Sequence, residues 1–203
     1  VEVAKSGDEI EIITNQTPFY GESGGQVGDQ GTIQTAECKI NIIDTQKKVG
    51  DLFVHVGKIA KGFIKIGERV NLSIDTIRRN NSKANHSATH LLHESLRRIL
   101  GKHVTQKGSL VSSERLRFDF SHNKLIEKDE MNKINKIVND FIIGSSDVQT
   151  RIMTPKEAVG LGALALFGEK YGDEVRVVFM GKENSGFFST ELCGGTHVKN
   201  TRE

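Results

Sequence analysis

Two short stretches, far apart in the chain, carry the side chains best suited to bind a metal ion. The first holds His86 and His90, four positions apart, and such residues lie one above the other on a single helix face. The second holds Cys193 and His197 on either side of Gly-Gly-Thr. One thiolate and three imidazoles form a borderline-soft ligand set that favours zinc. The sequence therefore predicts one zinc site built from these four side chains.

Each stretch alone has an ordinary explanation. Histidines at this spacing occur by chance on many helices, and a Cys-x-x-x-His segment by itself is a weaker signal. Their occurrence together, in a chain with two cysteines, favours a shared site. The ligand spacing is wider than that of a zinc finger. His93, three positions after His90, is a candidate spare ligand.

Composition is ordinary for a soluble globular protein, with 203 residues, 36% hydrophobic and 27% charged. This length has room for two modest domains. There is no apolar run of ~18 residues that would span a membrane and no secretory signal. The cysteines Cys38 and Cys193 are too few for a disulfide framework, so a cytoplasmic location is expected. The chain begins at Val1 rather than Met, and we expect it to be a piece of a longer protein.

Net charge gives little information about a partner. It is only +2, which by itself does not predict nucleic-acid binding, although Arg78-Arg79 and Arg97-Arg98 are local basic clusters that could contact phosphates.

The first part of the chain has the pattern of strands. Residues 9–14 alternate polar and apolar side chains, and further β-rich runs lie within 31–43, 51–59 and 62–74. Because no helical pattern separates these runs, residues 1–75 are predicted to form a small N-terminal β-barrel.

Five glycines lie in the loop of residues 17–31. A glycine-rich loop can bind an anion with its amides or can simply connect two strands, and both interpretations stay open. The loop lacks the Gly-Lys-Ser/Thr and G-x-G-x-x-G nucleotide-binding motifs. We expect it to form part of the pocket rim near His86, with Gly24, Gly25 and Gln26 as pocket residues.

The second part, residues 76–203, is predicted to be an α+β domain. A helical pattern covers 77–100 and stops at Gly101. After it we predict a hairpin (103–111 and 116–120), a helix (126–144), a strand (148–153), a short helix begun by Thr154 and Pro155, and strands at 174–180 and 187–192. The last strand delivers Cys193. The zinc-binding helix should then pack on a mostly antiparallel sheet.

Six segments also match, in order, the motifs of a known family. They are Phe19–Asp29, Asn85–His93, Gln106–Ser109, Arg117–His122, Phe167–Gly172 and Ser189–His197. Together they resemble the editing region of alanyl-tRNA synthetases. On this resemblance, residues 76–203 would form the editing domain, which is known as the second additional domain of these synthetases. The last segment is also similar to one in threonyl-tRNA synthetases and free-standing alanyl-tRNA editing proteins. The resemblance implies that the aminoacylation domain lies outside this chain and that the editing domain continues beyond Glu203.

The resemblance implies an aminoacyl-tRNA deacylase within an alanine–tRNA ligase. Its partner would be tRNA(Ala) mischarged with serine or glycine, and the longer protein would join alanine to tRNA(Ala) with ATP. Pocket size alone separates such similar amino acids only about 10- to 200-fold, so a second site that hydrolyses the wrong esters is needed. That site must accept the serine hydroxyl, and Thr89, Gln106 and Thr196 are the polar candidates.

The proposed chemistry is zinc-assisted ester hydrolysis. The ion would polarise the ester carbonyl or lower the pKa of a water, and Gln106 would orient that water or the substrate. Four protein ligands usually mark a structural site, since catalytic zinc keeps one position open. One loose ligand, a five-coordinate ion, or an ion that only organises the pocket would each resolve this conflict. Cys193 as a covalent nucleophile is a further alternative, although a metal-bound thiolate is already occupied.

Two other classes of function compete with this hypothesis. The first is a zinc-stapled, non-catalytic module that binds tRNA. The second is a zinc hydrolase acting on peptides or nucleotides. A peptidase expects Glu directly after the first histidine, where this chain has Ser87. A deaminase expects His-x-Glu and Cys-x-x-Cys, and the sequence has neither.

Overall fold

The computed structural model describes residues 2–50, 52–164, 172–184 and 186–203. Its elements are β1 (Val3–Lys5), β2 (Glu9–Ile12), β3 (Gly31–Gln34), β4 (Lys39–Lys48), β5 (Leu52–Lys61), β6 (Phe63–Lys65), β7 (Asn71–Ile74), α1 (Thr76–Leu100), β8 (Gln106–Val111), β9 (Leu116–Phe120), α2 (Lys128–Ile143), β10 (Gln149–Met153), α3 (Pro155–Gly160), β11 (Val175–Glu183) and β12 (Gly186–Leu192). The chain divides into two units, Val1–Asn81 and Ser82–Glu203. The composition change at residue 75 lies just before α1, and the division falls inside that helix.

The N-terminal unit contains an antiparallel five-stranded sheet in the order β2-β5-β4-β3-β7, and β1 pairs separately with β6. Its core is formed by apolar residues, most of them at alternating strand positions, as the period of two requires, with Phe19 and Cys38 outside the strands. The core residues are Ala4, Phe19, Ile33, Cys38, Ile40, Ile42 and Ile59.

The prediction of an N-terminal β-barrel is wrong. In the described residues the five-stranded sheet is open, because its edge strands β2 and β7 do not pair with each other. Alternation of side chains identifies strands, but closure depends on strand tilt and stagger, which alternation does not reveal. The β-rich run 31–43 also folds back on itself as β3 and β4, and β1 was not predicted.

Local hydrogen bonds and a glycine define the two ends of the long helix α1. The Asp75 carboxylate accepts the backbone N–H of Arg78 at 3.0 Å, as a helix N-cap does. Gly101 has φ 119°, and its N–H donates to the carbonyl of Arg97 at 3.0 Å. A positive φ is easily adopted by glycine, so the predicted stop at Gly101 is confirmed.

The C-terminal unit is built on a three-stranded antiparallel sheet in the order β10-β11-β12. One face of β11 presents Val178 and Met180 to Leu91 of α1. The opposite face presents Val177 and Phe179 to Ala158 of α3. The predicted α+β class with mostly antiparallel sheets is therefore confirmed, and α1 lies against the sheet through its apolar stripe.

The hairpin of β8 and β9 also packs on α1. Phe118 and Phe120 lie on one face of β9, as the strict alternation predicted, and contact the cluster of Leu96 with Ile134 of α2. A bulge at Lys107 interrupts the ladder, because Gln106 pairs with Phe120 while Gly108 pairs with Asp119.

The segment Phe167–Gly172, which carried part of the family resemblance, lies outside the described residues except for Gly172. Among the described helices, none is both long and apolar enough to cross a membrane.

Candidate metal centre

The structure brings together the four side chains predicted to bind zinc. One potential ligand atom from each of His86, His90, Cys193 and His197 lies within 4.8 Å of the others, and all four residues are buried. The Cys193 Sγ lies 3.4 Å from Nε2 of His86 and 3.3 Å from Nε2 of His197. These distances leave the sulfur at the middle of an imidazole cluster, so the four could hold one metal ion.

Helix periodicity places the first two histidines side by side. The His86 and His90 rings stack with centroids 5.3 Å apart and an interplanar angle of 13°, as expected for positions i and i+4. Leu91, which is 1% exposed, anchors this part of α1 in the core. A ligand pair on a packed helix is held more precisely than one on a loop.

The sheet delivers the thiol. Leu192 ends β12 opposite Val177 of β11, and the N–H of Cys193 donates to the carbonyl of Arg176 at 3.0 Å. In return the Arg176 guanidinium donates to the carbonyls of Cys193, at 2.9 Å, and Gly195, at 2.7 Å. The Gly195 N–H lies 3.4 Å from Sγ of Cys193. Arg176 thus fixes the turn between the thiol and His197.

A serine on α1 contacts the last histidine. The Ser87 Oγ lies 3.2 Å from Nδ1 of His197 and accepts the N–H of Val198 at 3.2 Å. Nδ1 of His197 therefore has its own partner while Nε2 faces the sulfur.

A buried carboxylate contacts two other histidines. Glu191 Oε2 lies 2.9 Å from Nδ1 of His90, and Oε1 lies 3.1 Å from Nδ1 of His93. His93, the candidate spare ligand, is thus bonded to Glu191, and it lies outside the group of four. Nε2 of His90 is buried and has no hydrogen-bond partner among the residues that the structure describes.

Burial and neighbouring charges set the pKa values of the side chains in this cluster. Burial would raise the pKa of the Cys193 thiol, but the charge of His90 and hydrogen bonds from His197 and His86 lower it well below its usual range. Burial lowers the pKa of His197 to about 3. Burial alone would lower the pKa of His90, but the negative charges of Glu191 and Cys193 outweigh this effect and raise its pKa to about 10. The thiolate and the neutral His197 are the forms that bind metals, and His90 must release its proton to do so.

The donor set fits zinc by its chemistry. A thiolate with three imidazole nitrogens is a soft and borderline combination typical of that ion. The unpartnered Nε2 of His90 supports the fit, because a buried polar atom without a partner is rare unless it serves a ligand or a function. The structure therefore presents a candidate metal centre formed by His86, His90, Cys193 and His197.

The polar residues predicted to act on the substrate lie on three different elements. Thr89 is buried on α1, and its hydroxyl donates to the carbonyl of Asn85 at 2.8 Å. Gln106 opens β8 and is half-buried. Thr196 is half-buried in the turn before His197.

Gly24, Gly25 and Gln26 lie in the N-terminal unit. Ser23 and Gln26 exchange backbone hydrogen bonds, of 3.2 and 3.0 Å, around the two glycines. Gly24 and Gly25 have φ of 57° and 85°, as in a two-residue hairpin turn of type I′. The N–H groups of Ser23 and Gln26 are used inside this turn, which favours the strand-connection interpretation over an anion site. Their place in a pocket stays a prediction.

Sequence reasoning missed Ser87, Arg176 and Glu191. Glu191 had a visible signal, since it is a charged residue in a predicted strand, two positions before a predicted ligand. Arg176 and Ser87 had none, because their contacts depend on how β11 and α1 meet the turn after β12.

Comparison with known proteins identifies the family. Residues 1–78 match the model of class II (A) tRNA synthetases, and residues 175–203 match that of the threonyl and alanyl tRNA synthetase second additional domain. Alanine–tRNA ligase of Parvibaculum lavamentivorans is 55% identical over 203 residues, and that of Chelativorans sp. is 57% identical over 206. These alignments cover 98% and 99% of this chain.

The chain spans 23% of the length of each of these two relatives. The two matched models lie at its two ends, and the candidate metal centre takes two of its ligands from the second. The chain belongs to the alanyl-tRNA synthetase family and corresponds to its editing region.

Proposed function

We propose that this chain hydrolyses the ester of tRNA(Ala) wrongly loaded with serine or glycine, as the editing part of an alanine–tRNA ligase. The observation that carries this proposal is the convergence of His86, His90, Cys193 and His197 in a chain of this family. The longer protein would ligate alanine to tRNA(Ala) with ATP through a domain outside this chain.

His86, His90, Cys193 and His197 are the proposed ligands of a zinc ion. When bound, zinc supplies a positive charge that polarises an ester carbonyl or makes a nearby water more acidic. Hydrogen-bond contacts position three of these ligands. His90 contacts Glu191, His197 contacts Ser87, and the sulfur of Cys193 contacts the N–H of Gly195. An aminoacyl ester is intrinsically reactive, so positioning with modest electrostatic help is sufficient for its hydrolysis.

Gln106 is the proposed orienting residue for water or substrate. Residues directly opposite each other in an antiparallel ladder project to the same face, and Gln106 is opposite Phe120. Phe120 belongs to the cluster on α1, so Gln106 projects to the α1 side of the hairpin. Its neutral amide can donate and accept hydrogen bonds at once, but it cannot act as a base.

Thr89 is the proposed acceptor for the substrate's own hydroxyl. Its O–H is already donated to Asn85, which leaves lone pairs on Oγ1 to accept a further hydrogen bond. Serine can donate such a bond and alanine cannot. Thr196, beside His197, is the second polar candidate.

The alternative is a module in which the ion only staples the fold and the surface only binds tRNA. It is favoured by the count of four protein ligands, which would fill a tetrahedral ion. Both functions belong in the cytoplasm, where thiols such as the free Cys38 and Cys193 stay reduced.

The test compares tRNA(Ala) loaded with serine, glycine or alanine in single-turnover hydrolysis by the metal-loaded chain. We expect serine and glycine to be released faster than alanine, by about 10- to 200-fold, which is the range in which a pocket separates amino acids that differ by one small group. Binding of tRNA(Ala) with release of serine at only the spontaneous rate would overturn the enzyme and favour the binding module.

A further inference from the structure

Both carboxylate oxygens of Glu191 make hydrogen-bond contacts with buried side chains. Besides its contacts with His90 and His93, it accepts the hydroxyl of Ser189 at 3.2 Å on Oε1. Glu191 is 2% exposed, and His90, His93 and Ser189 are between 1% and 5% exposed. A carboxylate in such a position is not a solvated surface charge, since burying a charge is costly unless it is paired and hydrogen-bonded.

These contacts determine which ring nitrogens carry hydrogen. An ionised carboxylate only accepts hydrogen bonds, so Nδ1 of both His90 and His93 must carry a hydrogen. In a neutral imidazole the other nitrogen is then a bare lone pair. For His90 that nitrogen is Nε2, the atom without a partner beside the thiolate.

Charge balance points the same way. The thiolate of Cys193 and the carboxylate of Glu191 together carry two negative charges within one buried cluster. A divalent ion with three neutral imidazoles makes this cluster electrically neutral overall. Removal of the carboxylate charge would leave a net positive charge in the interior, which a low-dielectric environment penalises.

His93 contributes from the far side of the carboxylate. It packs against Phe118 with ring centroids 5.0 Å apart, and its buried Nε2 has no hydrogen-bond partner in the described part of the chain. An apolar side chain would avoid the cost of that unpartnered atom. Its Nδ1 lies 3.1 Å from Oε1 of Glu191, and this contact holds the carboxylate in the orientation that His90 needs.

We propose that Glu191 is a positioning residue of the metal centre, which fixes His90 as the tautomer that binds a divalent ion, and that His93 locks Glu191 in place. This inference rests on the ligand set of the proposed function, but not on its substrate. Partners of this kind typically change metal affinity by about 10- to 100-fold.

The experiment measures zinc affinity by competition with a chromophoric chelator, on this chain and on Glu191→Gln. We expect zinc to bind about 10- to 100-fold more weakly to the variant. Imidazole ¹⁵N spectra of the zinc-loaded chain should show His90 protonated at Nδ1, and this Nδ1–H resonance should shift in Glu191→Gln. Ser189→Ala is the matched control, because it removes a contact to the same carboxylate without touching His90, and its His90 spectrum should match the parent.

A second pair of variants covers the case in which Glu191→Gln does not fold. His93→Leu keeps the packing against Phe118 and removes the donor to Glu191, so zinc binding should weaken. His93→Asn replaces Nδ1–H by an amide N–H in a similar position, so zinc binding should stay near that of the parent. Equal zinc affinity of the Leu and Asn variants would contradict the role of His93.

Parent zinc affinity in Glu191→Gln together with an unshifted His90 resonance would overturn the proposal for Glu191. These outcomes are separate from the deacylase assay. A parent chain that binds zinc in a Glu191-dependent way without hydrolysing any ester would refute the proposed function alone.

Discussion

Oγ of Ser87 lies 3.2 Å from Nδ1 of His197 and accepts the N–H of Val198, also at 3.2 Å. One hydroxyl on α1 therefore holds both the side chain of a proposed ligand and the backbone that follows it. Because the residue next to His86 in sequence contacts His197, hydrogen bonds between protein groups join the two ligand stretches.

Replacement of this hydroxyl should loosen the centre without unfolding the unit. We expect Ser87→Ala to weaken zinc binding by about 10- to 100-fold, the range for partners that orient a ligand. Chelator competition measures the change. Ser95→Ala is the control on the same helix, since Ser95 is also buried and its hydroxyl donates to the carbonyl of Leu91 within α1. A similar loss of zinc affinity in that variant would show that any buried hydroxyl of α1 matters.

The Gly194-Gly195 turn should depend on Arg176. Two carbonyls of the turn accept from its guanidinium, and hydrogen bonds to charged groups contribute roughly 1.5–3 kcal/mol each. Arg176→Ala should therefore lower the free energy of unfolding by about 2 kcal/mol or more, measured by urea denaturation. Lys182→Ala, an exposed position on the same strand, should change it little, and equal effects of the two would contradict the turn contact.

Local chemistry explains which parts of the fold the sequence could predict. Thr154 caps α3 and exchanges hydrogen bonds with Glu157, as their spacing predicted, because a capping box involves only neighbours in sequence. The His86 and His90 pair is equally local. The prediction that the N-terminal sheet closes into a barrel was wrong. Within the described residues, strand β2 pairs with β5 but not with the other edge strand, and closure depends on long-range geometry that no short stretch of sequence specifies.

The same distinction holds in the metal centre. That Cys193 should meet α1 could be proposed from residue type and family resemblance. That Glu191 faces His90 and His93 rather than solvent follows from the register of β12 on β11 and the rotation of α1 above them, and neither is encoded in a short motif.

Gln106→Ala tests positioning within the reaction. The variant should keep zinc and tRNA, because Gln106 is not among the proposed ligands. Loss of one orienting contact should slow single-turnover release of serine by about 10²- to 10³-fold. Zinc content is measured on the same sample, and Ser109→Ala on the same strand is the control. A parent rate in Gln106→Ala would show that the water is oriented elsewhere.

His55 should make the N-terminal unit sensitive to acid. It is fully buried, its Nδ1 lies 3.0 Å from the carbonyl oxygen of Ile12, and Thr17 Oγ1 lies 2.7 Å from its Nε2. Burial lowers its pKa below the ordinary 6.5. The unfolded chain therefore takes up a proton as the pH falls below 6.5, while the folded unit does not until its lower pKa is reached.

The free energy of unfolding should consequently fall with decreasing pH in that window, by up to about 1.4 kcal/mol per pH unit. His55→Asn, which retains a donor for Ile12, should remove this contribution. The measurement is urea denaturation between pH 7.5 and 5, followed through NMR signals of β2 and β5. Identical pH slopes for parent and variant would assign the acid sensitivity to other groups.

The most direct test of the account is the metal dependence of serine release. The chain is stripped with a chelator, restored with one equivalent of zinc, and assayed at each stage for hydrolysis of serine-loaded tRNA(Ala). We predict that hydrolysis is lost with the ion, returns with zinc, and is not restored in the double variant Cys193→Ala with His197→Ala. Hydrolysis at the parent rate by the metal-free chain, or by that double variant, would contradict a metal centre formed by these residues as the site of editing.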